Sequence, residues 1–209
     1  MKVCAVSPWA TASANEILSF LGGTTADLVV LPGVCPNTPS PLEVQRVIRR
    51  NVAVFVEHGG SKGKATPYLV TCEGVRPMPR GVFSKSPNAK CMNKLLAAWP
   101  NRTFSIRSRT VTFAICGEIN GFNRDGHAKH GLVLPFDILA NPAHTVMGRW
   151  QILGPKLSAL SKGRVVIHVA NNNRNHDGLK TDVRIYINGT LQDAKLQYGQ
   201  KMKWCECKI

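Results

Sequence analysis

Acidic residues are scarce in this 209-residue chain: 12 Asp and Glu stand against 27 Lys and Arg, a formal net charge of +15. A surface of that sign attracts polyanions. The parts that would make it a dedicated nucleic-acid platform are missing. There is no basic arm, and the densest cationic run is "VIRR" at 47–50. Aromatic residues make up only 7%, which leaves few rings on which bases could stack. Nucleic-acid binding is therefore the minority reading, and a generally basic surface the ordinary one.

Long apolar runs are also absent. None approaches the roughly 18 residues that span a bilayer, so no membrane partner is expected. The first residues, "MKVCAVSPWATASANE", hold one lysine and no long apolar stretch. They do not read as a secretory leader, and the expected location is the cytoplasm. Seven cysteines, an odd number at irregular spacing and with no C-x-x-C pair, exclude a disulfide framework and a zinc-finger ligand set. No metal and no cofactor is expected. Cys205 and Cys207 in "WCECK" read as a loose thiol-bearing tail. There is no internal repeat and no linker. With 44% hydrophobic residues, one domain over 1–209 is expected, with enough chain to bury a core.

What the chain does contain is a series of short, punctuated elements. In "SANEILSFLGG", Ser13 and Glu16 form a capping box, Ile17, Phe20 and Leu21 share a face, and Gly22–Gly23 stop the helix. In "SPLEVQRVIRR", Ser40 caps, Pro41 takes the first helical position, Glu43 closes a second box, and Val44, Val47 and Ile48 make the apolar face. A further helix is expected over "MGRWQILGPKLSALS", interrupted near Gly154–Pro155. Val- and Ile-rich runs at 28–32, 52–56, 110–116, 137–141 and 164–171 read as strands covered on both faces. The runs at 68–74 and 182–189 alternate, and Asn188–Gly189 marks a tight turn. Strands interleaved with helices mean an α/β fold.

In such sheets, reactive groups gather at the carboxyl ends of strands. The candidates there are Gly33, Glu57–His58, Cys116–Gly117–Glu118, Asn141, His144 and Asn171–Asn172. Read in isolation, Cys116 in "VTFAICGEINGF" is either a packed thiol or a nucleophile at a strand end.

The order of motifs settles which to pursue. "ADLVVLP", "ATPYLVTCEG…VFSKS", "RTVTFAICGEINGF", "DILANPAH", "ALSKGRVVIHVANNN" and "VRIYINGTLQ" together resemble the nitrilase, or carbon–nitrogen hydrolase, superfamily. The resemblance implies an αββα sandwich, two mixed sheets face to face with helices outside. It also implies a Glu–Lys–Cys set that cleaves nonpeptide C–N bonds, and a homodimer or higher homo-oligomer. By this resemblance Cys116 is the nucleophile, Lys85 the catalytic lysine and Glu118 the acid two positions beyond the cysteine. Asn171 falls at the family's late Ala-Asn. The family's general-base glutamate falls on Gly33, a departure from the pattern.

Amide hydrolysis through a thioester needs an activated thiol, oxyanion donors, a proton for the leaving amine and a base for water. Lys85 would polarise the carbonyl and favour the thiolate. The backbone N–H of Gly117 would be an oxyanion donor. Glu118, Asn141, His144 and Asn171 are the remaining candidates for holding substrate. For the missing base Glu57 is preferred, since its strand can neighbour "LVVLP". Glu43 is occupied by its capping box, Glu118 can be spent on local backbone donors, and His58 and His144 are further candidates. The leading expectation is a hydrolase acting on a small amide, nitrile or carbamoyl compound. The alternatives are a non-catalytic binding or assembly protein of the same fold and a polyanion-binding protein.

Overall fold

The computed structural model describes residues 1–35, 37–60, 64–144, 150–171, 181–199 and 201–209. Its strands form two sheets. The first is ordered β12 (Leu196–Gly199), β13 (Met202–Lys208), β1 (Lys2–Pro8), β2 (Leu28–Val30), β3 (Ala53–His58), β4 (Thr66–Thr71), β5 (Gly74–Pro77). The second is ordered β11 (Thr190–Leu191), β10 (Thr181–Ile187), β9 (Val165–Asn171), β8 (Ile138–Ala143), β7 (Arg109–Phe113), β6 (Thr103–Ile106). Strands β1–β3 run parallel, as do β7–β9. The flanking strands pair antiparallel, so both sheets are mixed.

The inner faces interlock. Phe55 and Phe113 stack at 5.1 Å between centroids, and Phe104 meets Phe113 edge-on at 6.0 Å. Both faces of the central strands are covered, which is why their sequences are continuous apolar runs. On the outer face of the first sheet, α1 (Ala14–Gly23) and α2 (Pro41–Val47) bury Ile17, Leu21 and Val44. On the outer face of the second, α3 (Ala89–Ala98) and α4 (Trp150–Leu160) bury Met92, Leu95, Leu153 and Leu157. The architecture is thus helix, sheet, sheet, helix. No helix among the described residues is long and apolar enough to cross a membrane.

Both capping boxes form as expected, at Ser13/Glu16 and Ser40/Glu43. α1 runs through Gly22 and Gly23, however, and ends at Thr24. Asn188 and Gly189 both adopt positive φ, the geometry of a two-residue hairpin turn joining β10 to β11. Two expectations need correction. α4 is continuous across Pro155, without the expected interruption. The only backbone bond this proline removes would end on Gln151, which lies exposed where water can replace the lost donor. The expected start of that helix at 147–149 lies outside the described residues.

The second correction concerns "WCECK". It is not a loose tail. β13 lies between β12 and β1, with Val3 opposite Cys207 and Ala5 opposite Cys205. Cys205 and Cys207 are buried between the sheets, and Met202 is buried on the helix side. Truncation after Tyr198 therefore strips β1 of a full ladder and opens both layers, against a total stability of only about 5–15 kcal/mol. The truncated chain is predicted to lose its cooperative thermal transition by circular dichroism. A melting curve like that of the full chain would contradict this placement.

Candidate active site

Parallel order puts the carboxyl ends of β1–β3 and of β7–β9 on one rim of the sandwich, and polar bonds tie the sheets together there. Ser7 Oγ donates to the Ala170 carbonyl at 3.1 Å, and Asn171 Nδ2 donates to the Pro8 carbonyl at 2.6 Å. The Gly33 N–H donates to the Ala143 carbonyl at 3.2 Å. Glu57, at the end of β3, accepts a hydrogen bond from His144, just past β8, at 2.6 Å between Oε2 and Nε2.

Cys116 follows β7 and opens a short 3₁₀ turn at 116–121. Its φ is +49°, an uncommon conformation for a residue with a side chain, which costs roughly 1–2 kcal/mol. Such a bend persists only where its surroundings fix it. Here they do. Asn141 Nδ2 donates to the carbonyls of Ala114 (2.6 Å) and Cys116 (2.9 Å), and Asn141 Oδ1 accepts from His168 Nδ1 at 2.8 Å. Glu118 Oε2 accepts the Ile115 N–H at 2.7 Å, and its Oε1 accepts the Val82 N–H at 2.6 Å.

Glu118 itself is fully buried against Arg102, which is equally buried. The Arg102 guanidinium also donates to the carbonyls of Pro79 and Arg80. The pair therefore fastens the 79–84 segment to the cysteine bend. Gly117 shows how close that approach is: a Cβ there would stand 2.3 Å from the Ser84 carbonyl oxygen. The result is a cavity of about 470 Å³, with Glu57, Arg80, Phe83, Ile115, Cys116 and His144 among its walls.

His144 is hydrogen-bonded to Glu57 and shares the cavity wall with Cys116, close enough for each to shift the other's pKa. Burial pushes the imidazole pKa down, but the bonds and charges of Cys116 and Glu57 outweigh it and raise the value to about 10. Burial pushes the Cys116 thiol up. The imidazolium beside it, with the N–H groups of His144 and Gly117, reverses that and leaves the thiol below its ordinary 9.0. The three side chains set a thiol with a lowered pKa beside an imidazole with a raised one, backed by a carboxylate.

Gly33 explains how this set fits. A Cβ at residue 33 would lie 2.3 Å from His144 Cδ2, 2.8 Å from Nε2 and 2.9 Å from Glu57 Oε2. Real Cβ atoms do not approach so closely, so any side chain at 33 displaces the imidazole, the carboxylate or both. The position is empty because residues from two other strands fill its space.

Of the residues singled out in the sequence, Cys116, Glu57 and His144 converge, with Gly117 adjoining them. Asn141 and Glu118 are buried supports of the bend and do not line the cavity. Asn171 is buried at another point on the rim, bonded to Pro8 and to Cys35 Sγ at 3.2 Å. Lys85 is not brought to the Cys116 cavity: it is exposed and lines a separate pocket on the other side of Ser84. The order of motifs could place Lys85 in the chain but could not say which way its loop turns. Asn172 lies outside the described residues. Arg102 and Arg80 were missed, since an arginine in "PNRTF" or "PMPRG" carries no local signal of burial or of a cavity. No group of three metal-ligating side chains occurs among the described residues.

No protein-family model and no curated protein matches the chain in sequence. Solved structures do match in shape. One is a CN-hydrolase superfamily protein from Xanthomonas campestris with an arsenic adduct in its active site, with TM-score 0.59, 14% identity, and 100% of this chain and 90% of that one covered. Another is a double mutant of the amidase from Nesterenkonia sp. AN1 in complex with acrylamide, with TM-score 0.62, 14% identity, and again 100% and 90% covered. A further structure of an amidase from Nesterenkonia sp. gives TM-score 0.60 at 14% identity, covering 99% and 90%. The chain has the nitrilase, or carbon–nitrogen hydrolase, fold along its whole length.

Two predictions test this geometry. Arg102→Met leaves the Glu118 carboxylate buried without its partner and is expected to cost about 3–5 kcal/mol, measured by urea unfolding; a loss below 1 kcal/mol would contradict the strap. For the thiol, the pH at half-maximal iodoacetamide alkylation of Cys116 is expected below 9.0. In His144→Ala the imidazole no longer opposes the burial penalty, and the same midpoint should move above that of the wild type. Coincident profiles would show that the imidazole does not set the thiol.

Proposed function

We propose that this protein is a cysteine-dependent hydrolase of a nonpeptide C–N bond in a small amide, nitrile or carbamoyl compound, working through Cys116, His144 and Glu57. The observation that carries the reading is that the space above Gly33 is filled by an imidazole that is hydrogen-bonded to a carboxylate and stands beside a thiol in one cavity. A glutamate assigned by resemblance to position 33 is replaced here by a histidine base from another strand.

For an amide, the Cys116 thiolate attacks the carbonyl carbon, and the oxygen takes up negative charge near the Gly117 N–H. The His144 imidazolium gives its proton to the leaving amine, and the C–N bond breaks, leaving a thioester on Cys116. Neutral His144 then takes a proton from water, whose oxygen attacks the thioester. The acid leaves, and the thiolate and imidazolium are restored. Glu57 holds the ring in orientation and stabilises its charged form, as the third member of such a triad does. Lys85 takes no part in these steps, because it lines the neighbouring pocket. The fold neighbours support the reaction class: one is an amidase and one a CN-hydrolase superfamily protein. A homodimer or higher homo-oligomer is the assembly that fits the resemblance.

The test is turnover of a panel of small amides and carbamoyl compounds. Cys116→Ala should abolish it. His144→Ala should lower kcat/KM by about 10²–10⁴-fold, the range for losing acid–base help. Glu57→Gln should lower it less than His144→Ala. Lys85→Gln should leave the chemistry within a few-fold. Turnover that survives His144→Ala but is abolished by Lys85→Gln would overturn this assignment.

A further inference from the structure

Beside the Cys116 cavity, and sharing Ser84 with it, lies a second pocket of about 600 Å³. Its walls carry Lys85, Lys129 and Lys156, with Ser86 and Asn120, over an apolar floor that includes Leu153; among the described residues no carboxylate lines it. Lys156 is the informative member. It projects from α4, is buried to 7% exposure, and donates to the Ile119 carbonyl at 3.1 Å. An ammonium has three donors, and among the described residues no acid forms an ion pair with it. Burial and the charge of Lys129 push its pKa down to about 8. Burying a cation with no counter-ion is costly, so buried charges are ordinarily paired. Lys129 Nζ, also drawn to this pocket, is held at 2.7 Å by Ser86 Oγ, a neutral partner.

We infer that this pocket is a binding site for a small phosphate-class oxyanion, a phosphoryl group or pyrophosphate carried by a small molecule, held between Lys85, Lys129 and Lys156. Three cations converge on one concave space, and Ser86 and Asn120 add neutral donors suited to phosphate oxygens. The concavity and the apolar floor fit a small ligand with an uncharged part beside the anion, rather than an extended backbone crossing an open groove. The site is separate from the Cys116 chemistry, so it stands or falls independently of the hydrolase reading.

The test is calorimetric titration of the intact protein with inorganic pyrophosphate at low ionic strength. Lys85→Gln/Lys129→Gln changes the pocket, and Lys195→Gln/Lys208→Gln removes the same charge from exposed positions elsewhere. Lys156 is left intact because its replacement risks the packing of α4. One-site binding is expected, weakened about tenfold or more by the first pair, as loss of charged hydrogen bonds implies, and altered less than twofold by the second. No pyrophosphate binding, or equal weakening by both pairs, would overturn the proposal in favour of general surface charge. A single-stranded oligonucleotide titrated in parallel separates the polymer case. Binding of the oligonucleotide alone, sensitive to Lys85 and Lys129, would also overturn it.

Discussion

The hydrogen bond from His144 to Glu57 joins the two sheets at their common rim, and it exists only because residue 33 has no side chain. Glu57 comes from the first sheet, while His144 and Cys116 come from the second. The sandwich core fixes the separation of those strand ends through contacts such as Phe55 on Phe113. Within that fixed gap, an imidazole bridging thiol and carboxylate uses the volume that a Cβ at 33 would need. The lowered thiol and the raised imidazole follow from this packing: burial opposes both shifts, the imidazole and nearby N–H groups lower the thiol, and Cys116 and Glu57 raise the imidazole.

A second layer of buried charge holds the first in place. Arg102 and Glu118 do not line the cavity, yet between them they bind the Ile115 and Val82 N–H groups and the Pro79 and Arg80 carbonyls behind its wall. They thus connect the strained bend at Cys116 to the segment that walls the cavity. Asn141 supports the same bend from β8, with neutral His168 behind it: burial drives the His168 pKa down to about 3, so this ring carries no charge at neutral pH. The positive φ at Cys116 is maintained by these partners, as a strained backbone persists only where its surroundings fix it.

Much of the fold was legible from local pattern. The capping boxes at Ser13/Glu16 and Ser40/Glu43, the Asn188–Gly189 turn and the Val/Ile runs each express a short-range rule, and each formed. β1 and β13 were not foreseen, because "KVCAVSP" and "MKWCECK" mix charge, cysteine and proline, and their identity as strands comes from pairing with each other across almost the whole chain. The site was legible in pieces. Cys116, Glu57 and His144 each end a strand, but Glu57 and His144 are 87 residues apart, and nothing local joins them. Gly33 looked like a lost base in sequence and is, in space, the room that His144 and Glu57 fill. Lys85 went the other way: colinear order implied a place beside the cysteine, and the turn of its loop faces it into the lysine-lined pocket.

The most direct test of the central claim is the ultraviolet thiolate absorbance of Gly33→Ala followed against pH, taken as the difference from the same protein with Cys116→Ser. The wild-type chain should show a Cys116 titration midpoint below 9.0. Adding a single methyl at residue 33 should displace His144 and raise that midpoint while the thermal transition stays cooperative. An unchanged midpoint in a folded Gly33→Ala protein would contradict the account, because the Cys116–His144–Glu57 set would then not depend on the empty space at residue 33.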